Sequence, residues 1–182
     1  MMERIQGLRV ALRLVQPEDA AYIHALRMNP AYNRHLSPVS GSVADQLAWI
    51  ERYKRREAAG QEFYYVIERR DGIPCGLVRL YDILADRFTW GSWILAAGKP
   101  AKAALESAVL SFGVGFNTLG CEMALLDVRR ANTHATDFYR RFGASEIGQD
   151  AENIYFELAR DRFNQGHRHY LDAIASKEST PR

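Results

Sequence analysis

A long helical pattern between two extended segments constrains the fold more than any other feature of this sequence. Apolar residues recur at helical spacing over residues 101–119, and Gly120 follows as a glycine does after a last helical turn. Residues 87–95 before this helix are extended in pattern, and the apolar run 123–128 after it is typical of a buried parallel strand. The order strand, helix, strand predicts a right-handed crossover and a sheet covered by helices.

The remaining pattern alternates between short strands and amphipathic helices. Ser42 and Asp45 have the spacing of a capping box, and Asp71-Gly72 is typical of a hairpin turn. We expect one domain over residues 1–175 and a loose tail over 176–182. The further strands are predicted at 8–14, 63–68, 75–81, 145–148 and 154–158, and the further helices at 17–29, 42–58, 132–142 and 161–175.

Composition excludes several classes of protein. Of the 182 residues, 47% are hydrophobic and 25% charged, which is ordinary globular usage rather than that of a disordered chain. The 24 basic and 22 acidic residues leave +2, whereas a dedicated nucleic-acid binder carries a strong basic excess. The first residues alternate in polarity, unlike a signal peptide, and no apolar run approaches the roughly 18 residues of a membrane span. We therefore expect a cytoplasmic protein without nucleic-acid or membrane partners.

The cysteine and histidine spacing does not predict a metal site. Cys75 and Cys121 lie far apart and outside any metal-ligand pattern, which favours two reduced core thiols. His167 and His169 are two ligands without a third, so a solvated helix face is the simpler interpretation.

The segment 98–104 is the first candidate for chemistry. It leads into the N-terminus of the long helix, where free N–H groups favour an anion, and Lys99 and Lys102 add positive charge. A plain helix start with two solvated lysines is the alternative interpretation.

The second candidate is the stretch Asn132 to Gly143, with the pattern N-x-x-A-x-x-F-Y-x-x-F-G. Taken alone, Asn132 is most simply a helix N-cap and Tyr139 a core aromatic residue. Together with the order of elements, however, this stretch resembles the signature of the Gcn5-related N-acetyltransferase (GNAT) superfamily. The resemblance covers residues 8–158 and includes WGSWIL, similar to the family's bulged fourth strand. The early NPAYNRHLS segment looks like the branch with ribosomal-protein and nucleotide-amino-sugar acetyltransferases.

The resemblance implies an α+β fold, an α/β/α sandwich whose mixed sheet splays open between the predicted fourth strand, 87–95, and the fifth, 123–128. Acetyl-CoA would lie in that cleft as cosubstrate, without a metal, and an unpaired strand edge suits its amide-bearing arm. The residues that match the family's cofactor-binding positions are Trp93, Ile94, Leu95, Lys99, Ala101, Lys102, Ala103, Ala104, Asn132, Phe138 and Tyr139.

The pyrophosphate loop departs from the family pattern. Lys99 stands for glutamine or arginine, Lys102 for the middle glycine, and only Ala104 fits. Pro100 removes one backbone donor, and either lysine can compensate by direct contact with phosphate.

Acetyl transfer to an amine needs a base for the amine, a donor for the thioester carbonyl and an acid for the leaving thiolate. The resemblance implies Tyr139 as the acid and a backbone N–H near Trp93 or Ile94 as the carbonyl donor. Asp127 matches a glutamate that acts as base in the ribosomal-protein enzymes, and pairing with an arginine is its alternative. His35 and, behind the sheet, Glu106 are further candidates for the base.

The acceptor class is drawn from the branch resemblance. We expect the amine of a nucleotide-linked amino sugar, and the alternatives are a protein N-terminus or a catalytically weak acyl-CoA-binding module. A homodimer is a further expectation from the resemblance. Candidate acceptor contacts are Asn33, Arg34, His35, Tyr81, Asp82, Trp90 and Trp93.

Overall fold

The computed structural model describes residues 4–177, in which eight strands form one sheet with helices on both faces. The strands are β1 Arg4–Gln6, β2 Val10–Leu14, β3 Phe63–Arg69, β4 Pro74–Tyr81, β5 Arg87–Leu95, β6 Met123–Arg129, β7 Ser145–Gln149 and β8 Asn153–Ala159. The helices are α1 Ala20–Met28, α2 Pro30–Asn33, α3 Val43–Ala58, α4 Ala103–Gly113, α5 Thr133–Phe142 and α6 Arg160–Ala175. The predicted tail lies, from residue 178 onward, outside the described residues.

The sheet is mixed and it opens in the middle. Its strand order is β1-β2-β3-β4-β5-β6-β8-β7, and β5 and β6 are its parallel pair within the described chain. These two strands pair only where Arg87 to Thr89 lie beside Met123 to Leu125, although β5 continues to Leu95 and β6 to Arg129. The expected splay between these strands is confirmed.

Alternation along β3 builds a core on each face of the sheet. Tyr64 and Val66 pack with α1 and α3, whereas Tyr65 and Ile67 face the larger core that contains α4, α5 and α6. Because successive side chains of a strand point to opposite faces, a wholly apolar strand serves both layers. The α/β/α sandwich is therefore confirmed.

Helix ends follow the local sequence. Ser42 and Asp45 form the expected capping box at α3, and Asn132 caps α5 by accepting from the Ala135 N–H at 3.2 Å. Gly143 ends α5 with φ of 102°, which is the left-handed conformation that favours glycine.

Three boundaries differ from the predictions. The predicted helix 101–119 begins at Ala103 and continues beyond Gly113 as a π-helical turn, Val114–Thr118. The predicted strand 8–14 begins at Val10, because residues 7–9 belong to the turn from β1, in which the Gly7 N–H donates to the Val10 carbonyl at 2.9 Å. Strand β1 was not predicted, since three residues are too short for a periodic pattern. Within residues 4–177, no helix is long and apolar enough to cross a membrane.

Candidate active site

A bulge in β5 shapes the centre of the site. Leu77 pairs with Ile94 but Arg79 pairs with Gly91, so β5 holds one extra residue here. Ser92 takes the left-handed conformation, with φ of 49°, and lies next to Gly91 in the WGSWIL segment that resembles the family's bulged strand. The extra residue turns β5 so that its open edge faces β6.

The same bulge places two tryptophans on one face of the sheet. The Trp90 and Trp93 indole N–H groups donate to the Ser111 and Ser107 hydroxyls of α4, at 2.8 and 3.1 Å. Trp90 is only 1% exposed, so its expected contact with the acceptor is wrong. Trp93 packs against Phe138 of α5 with ring centroids 5.0 Å apart and lines a cleft rather than an acceptor cavity.

Beyond Thr89, the backbone of β5 pairs with β4 on one side and no longer pairs with β6 on the other. The Ala96 N–H donates to the Cys75 carbonyl of β4 at 2.8 Å. Backbone groups alternate in direction along an antiparallel strand, so the Ile94 N–H faces β4 while those of Trp93 and Leu95 face the splay. Of the two expected carbonyl donors, the Ile94 N–H is therefore excluded and the Trp93 N–H fits.

Most of the predicted cofactor residues come together in one cleft of about 380 Å³. Its lining also includes Ala31 and Tyr32 of α2, which lies outside the predicted helices, and His134 and Ala135 of α5. Tyr32 accepts the Ala97 N–H at 2.9 Å and so ties α2 to the end of β5. The predicted residues that line the cleft are Trp93, Ile94, Leu95, Lys99, Ala104, Asn132 and Phe138.

The loop before α4 keeps the conformation of a glycine-containing loop. Lys102, at the position of the family's middle glycine, has φ of 66° and caps α4 without a side-chain hydrogen bond. The Ala103 N–H is occupied by the Pro100 carbonyl at 3.2 Å, and Ala103 is buried. Ala101 and Ala103 do not line the cleft, and Lys102 lines a neighbouring cavity between α4, α5 and α6. The free N–H groups of the first turn and the Lys99 ammonium fit a pyrophosphate group.

Tyr139 is buried between Trp93 and Phe138, which line the cofactor cleft, and Tyr81, which lines a second cavity, but it lines neither cavity itself. Its ring packs edge-on against Trp90, with centroids 5.9 Å apart, and at 6.4 Å from Trp93. Burial raises the pKa of Tyr139 well above its usual range, and the charges of Asp127 and Tyr81 add to the increase. The phenol therefore stays protonated at neutral pH, as a proton donor must.

The second cavity, of about 460 Å³, brings both expected bases together. We call it the acceptor cavity. His35 and Asp127 line it with Tyr81, whereas Asn33, Arg34 and Asp82 are not part of its lining. Asp127 is an exposed position of a strand that alternates in burial, whereas the apolar run suggested a buried position. The neighbouring Arg129 pairs with Glu152 and not with Asp127. The full lining is Arg27, His35, Leu36, Ser37, Arg79, Tyr81, Gly91, Ser92, Asp127, Arg129 and Asn153.

Positive charge dominates the acceptor cavity. The lining contains three arginines, Arg27, Arg79 and Arg129, and one carboxylate, Asp127. Sequence reasoning missed Arg27 and Arg79, although Arg79 interrupts an apolar strand as Asp127 does. A charged residue inside an apolar strand was therefore the signal that would have found it.

Glu106 has a structural role. It is 4% exposed, and its carboxylate accepts the Leu8, Arg9 and Val10 N–H groups at 2.6, 2.6 and 2.7 Å. These bonds join α4 to the start of β2 on the face away from the acceptor cavity, so Glu106 is not a base. His167 packs on Phe163, and residues 4–177 contain no cluster of three or more metal-ligating side chains.

Comparison with known proteins agrees with this geometry. Residues 9–145 match the family model described as an acetyltransferase (GNAT) domain. FdhC, a nucleotide-linked sugar GNAT solved without ligand, is 36% identical over 92% of this chain and 96% of its own, with a TM-score of 0.84. Spermidine N-acetyltransferase from Vibrio cholerae, solved with CoA and spermine, is 20% identical over 87% of this chain and 99% of its own, with a TM-score of 0.75. None of the curated sequences matches the chain.

Proposed function

The chain belongs to the GNAT acetyltransferase family and uses acetyl-CoA, and we propose that it acetylates the primary amine of a nucleotide-linked amino sugar. The observation that carries this proposal is the cationic lining of the acceptor cavity, where Arg27, without a carboxylate partner among the described residues, lies with Arg79 and Arg129, whose partners are outside the lining. An anionic acceptor gains from such a lining, because charge-assisted hydrogen bonds to phosphate are the strong ones. The 36% identity to a nucleotide-linked sugar GNAT supports the same acceptor class.

The charge argues against a polyamine acceptor. Spermidine acetyltransferases share the fold at 20% identity, but a polycation in this cavity would meet three guanidinium groups and only Asp127. Bringing like charges together in such a site costs roughly several kcal/mol of binding free energy. The acceptor proposed for this chain therefore differs from that of the spermidine acetyltransferases, although the fold is shared.

Three groups of this chain perform the proposed reaction: a base, a carbonyl donor and an acid. Asp127 or His35, at the acceptor cavity, takes the proton of the ammonium group, which is mostly protonated at pH 7 because an alkyl amine has a pKa of about 10. The Trp93 N–H at the free edge of β5 donates to the thioester carbonyl as negative charge develops there. Tyr139 gives a proton to the departing thiolate sulfur. The amine attacks directly, with both substrates bound.

A thiol-release assay tests the acceptor class. Purified protein is incubated with acetyl-CoA and, separately, nucleotide-linked amino sugars, spermidine and peptides with free N-termini. We expect CoA release only with the nucleotide-linked amines. Release with peptides alone, the acceptor expected of a protein N-terminal acetyltransferase, would overturn the proposal.

Location and assembly follow from the same proposal. Two buried thiols, Cys75 and Cys121, are unpaired, which suits the reducing cytoplasm where we place the reaction. We also propose a homodimer on the family resemblance, and light scattering of the native protein tests it.

A further inference from the structure

Two guanidinium groups of the acceptor cavity have unmet hydrogen-bonding capacity. Among the described residues, Arg27 Nε and Arg79 Nε are buried atoms without a hydrogen-bond partner. Arg27 contacts one carbonyl, that of Ser37, at 3.5 Å from Nη2. Buried donors are normally paired, so each such exception in a folded protein calls for a ligand, an ion or a water molecule.

The positive charge around Arg79 is only partly balanced. Arg79 lies 3.5 Å from a Glu62 oxygen, and Arg56 donates to the other oxygen of the same carboxylate at 2.6 Å. Arg27 has no carboxylate within ion-pair distance in the described part of the chain, whereas Arg129 pairs with Glu152. Arg56 and Arg79 therefore share one carboxylate and Arg27 has none among the described residues, and a bound anion would supply the missing negative charge.

Aromatic rings hold Arg79 in place. Its guanidinium lies 4.1 Å from the centre of the Tyr81 ring and within 6 Å of Trp49 and Tyr64. The Tyr64 hydroxyl is a third buried group without a partner, and the positive charges of Arg27 and Arg79 act on it directly. Two guanidinium groups with unpaired donors are a suitable pair for phosphate oxygens.

Space for the rest of a nucleotide adjoins the two arginines. Arg27 also lines a cavity of about 390 Å³ between α1 and α3, and Arg79 lines another of about 530 Å³ beside Trp49. The two guanidinium groups therefore stand between the catalytic end of the acceptor cavity, at Asp127, and cavities that lead away from it. If the amine of the sugar lies at Asp127, the linked phosphates lie near Arg27 and Arg79.

We propose that Arg27 and Arg79 bind the diphosphate of the acceptor and so decide that the enzyme takes nucleotide-linked amines. This inference rests on the proposed function, and it assigns the acceptor preference to two residues outside the family signature. The two guanidinium planes donate to phosphate oxygens.

Binding of a nucleotide without the sugar tests the assignment. Protein saturated with CoA, so that the cofactor cleft is filled, is titrated calorimetrically with thymidine diphosphate, uridine diphosphate and thymidine. We expect the diphosphates to bind at least about tenfold more tightly than the nucleoside, and Arg27→Met to remove most of that difference. Arg27→Lys should restore part of it, since lysine keeps the charge but not the planar fork.

Three outcomes separate the proposals. Arg55→Met, on the exposed face of α3, removes the same charge away from the cavity and should leave diphosphate affinity within about twofold. Equal binding of thymidine and thymidine diphosphate, or an Arg27→Met variant that binds diphosphate like the parent, would overturn the arginine assignment. If the Arg27→Met variant acetylates nucleotide-linked amines with an unchanged acceptor KM, only this inference fails. If the parent protein acetylates none of these amines, the proposed function fails.

Discussion

Tyr139 is buried between residues that line the two cavities. Its buried phenol contacts Trp93 on the cofactor side and is influenced by Asp127 on the acceptor side. Because burial raises the pKa of Tyr139, the proton is retained below that raised value and is lost only above it. An alkaline loss of activity near pH 10 would thus not come from this residue.

Replacing Tyr139 with phenylalanine should remove the acid and leave the packing. We expect kcat to fall about 100-fold or more, the usual range for loss of general acid catalysis, with little change in the KM for acetyl-CoA. Steady-state kinetics measure both constants. Tyr32→Phe is the matched control, since Tyr32 lines the cofactor cleft and should affect the KM for acetyl-CoA instead. A Tyr139→Phe rate within a few-fold of the parent would refute the assignment.

The base is decided by comparing two variants of the acceptor cavity. Asp127→Asn and His35→Gln each remove one candidate while keeping similar volume. We expect the variant that lacks the base to lose about 100-fold in kcat and the other to change mainly the acceptor KM. Equal small losses in kcat for both variants would mean that neither residue takes the proton.

At the scale of the element, the turn into α4 is the part of the cofactor site that departs most from the family pattern. Lys102 occupies a left-handed conformation that costs a non-glycine residue about 1 kcal/mol. Lys102→Gly should therefore raise the free energy of unfolding by roughly this amount, as measured by urea denaturation. If the ammonium also contacts the CoA phosphates, the same variant binds CoA several-fold more weakly. A variant that is less stable than the parent would contradict the strain argument.

Glu106 ties α4 to β2 through three backbone N–H groups. Glutamine offers one carbonyl oxygen and turns a donor toward these N–H groups, so Glu106→Gln should lower the free energy of unfolding by about 2 kcal/mol. Urea denaturation measures the change. Glu122→Gln removes an exposed partner of Arg160 and should cost less than about 1 kcal/mol. Lost CoA binding with unchanged stability would instead give Glu106 a role in the site.

At the scale of the whole molecule, both substrates enter one splay from different cavities. No cysteine is placed to carry the acetyl group, since Cys75 and Cys121 are buried and burial raises the pKa of the Cys75 thiol to about 11. We therefore expect intersecting lines when acetyl-CoA and acceptor concentrations are varied, and no CoA release without acceptor. Parallel lines, together with a Cys75→Ser variant that lost activity, would indicate an acetyl-enzyme instead.

The sequence by itself determined the elements and their order. The capping box at Ser42, the cap at Asn132 and the glycine at Gly143 are local signals, because each depends on backbone groups within a few residues. The pattern from Asn132 to Gly143 also indicated the family. Features that depend on neighbours along the chain can therefore be predicted from the residues alone.

Only the tertiary structure decided which residues share a cavity. Arg27, Arg79 and Asp127 come from a helix and two strands separated along the chain, and their charges add up only when the sheet brings them together. The bulge at Ser92 likewise places Trp93 on the same face of the sheet as Trp90, because one extra residue moves the side chains that follow to the other face. Acceptor recognition is a sum over distant residues, and no local pattern contains that sum.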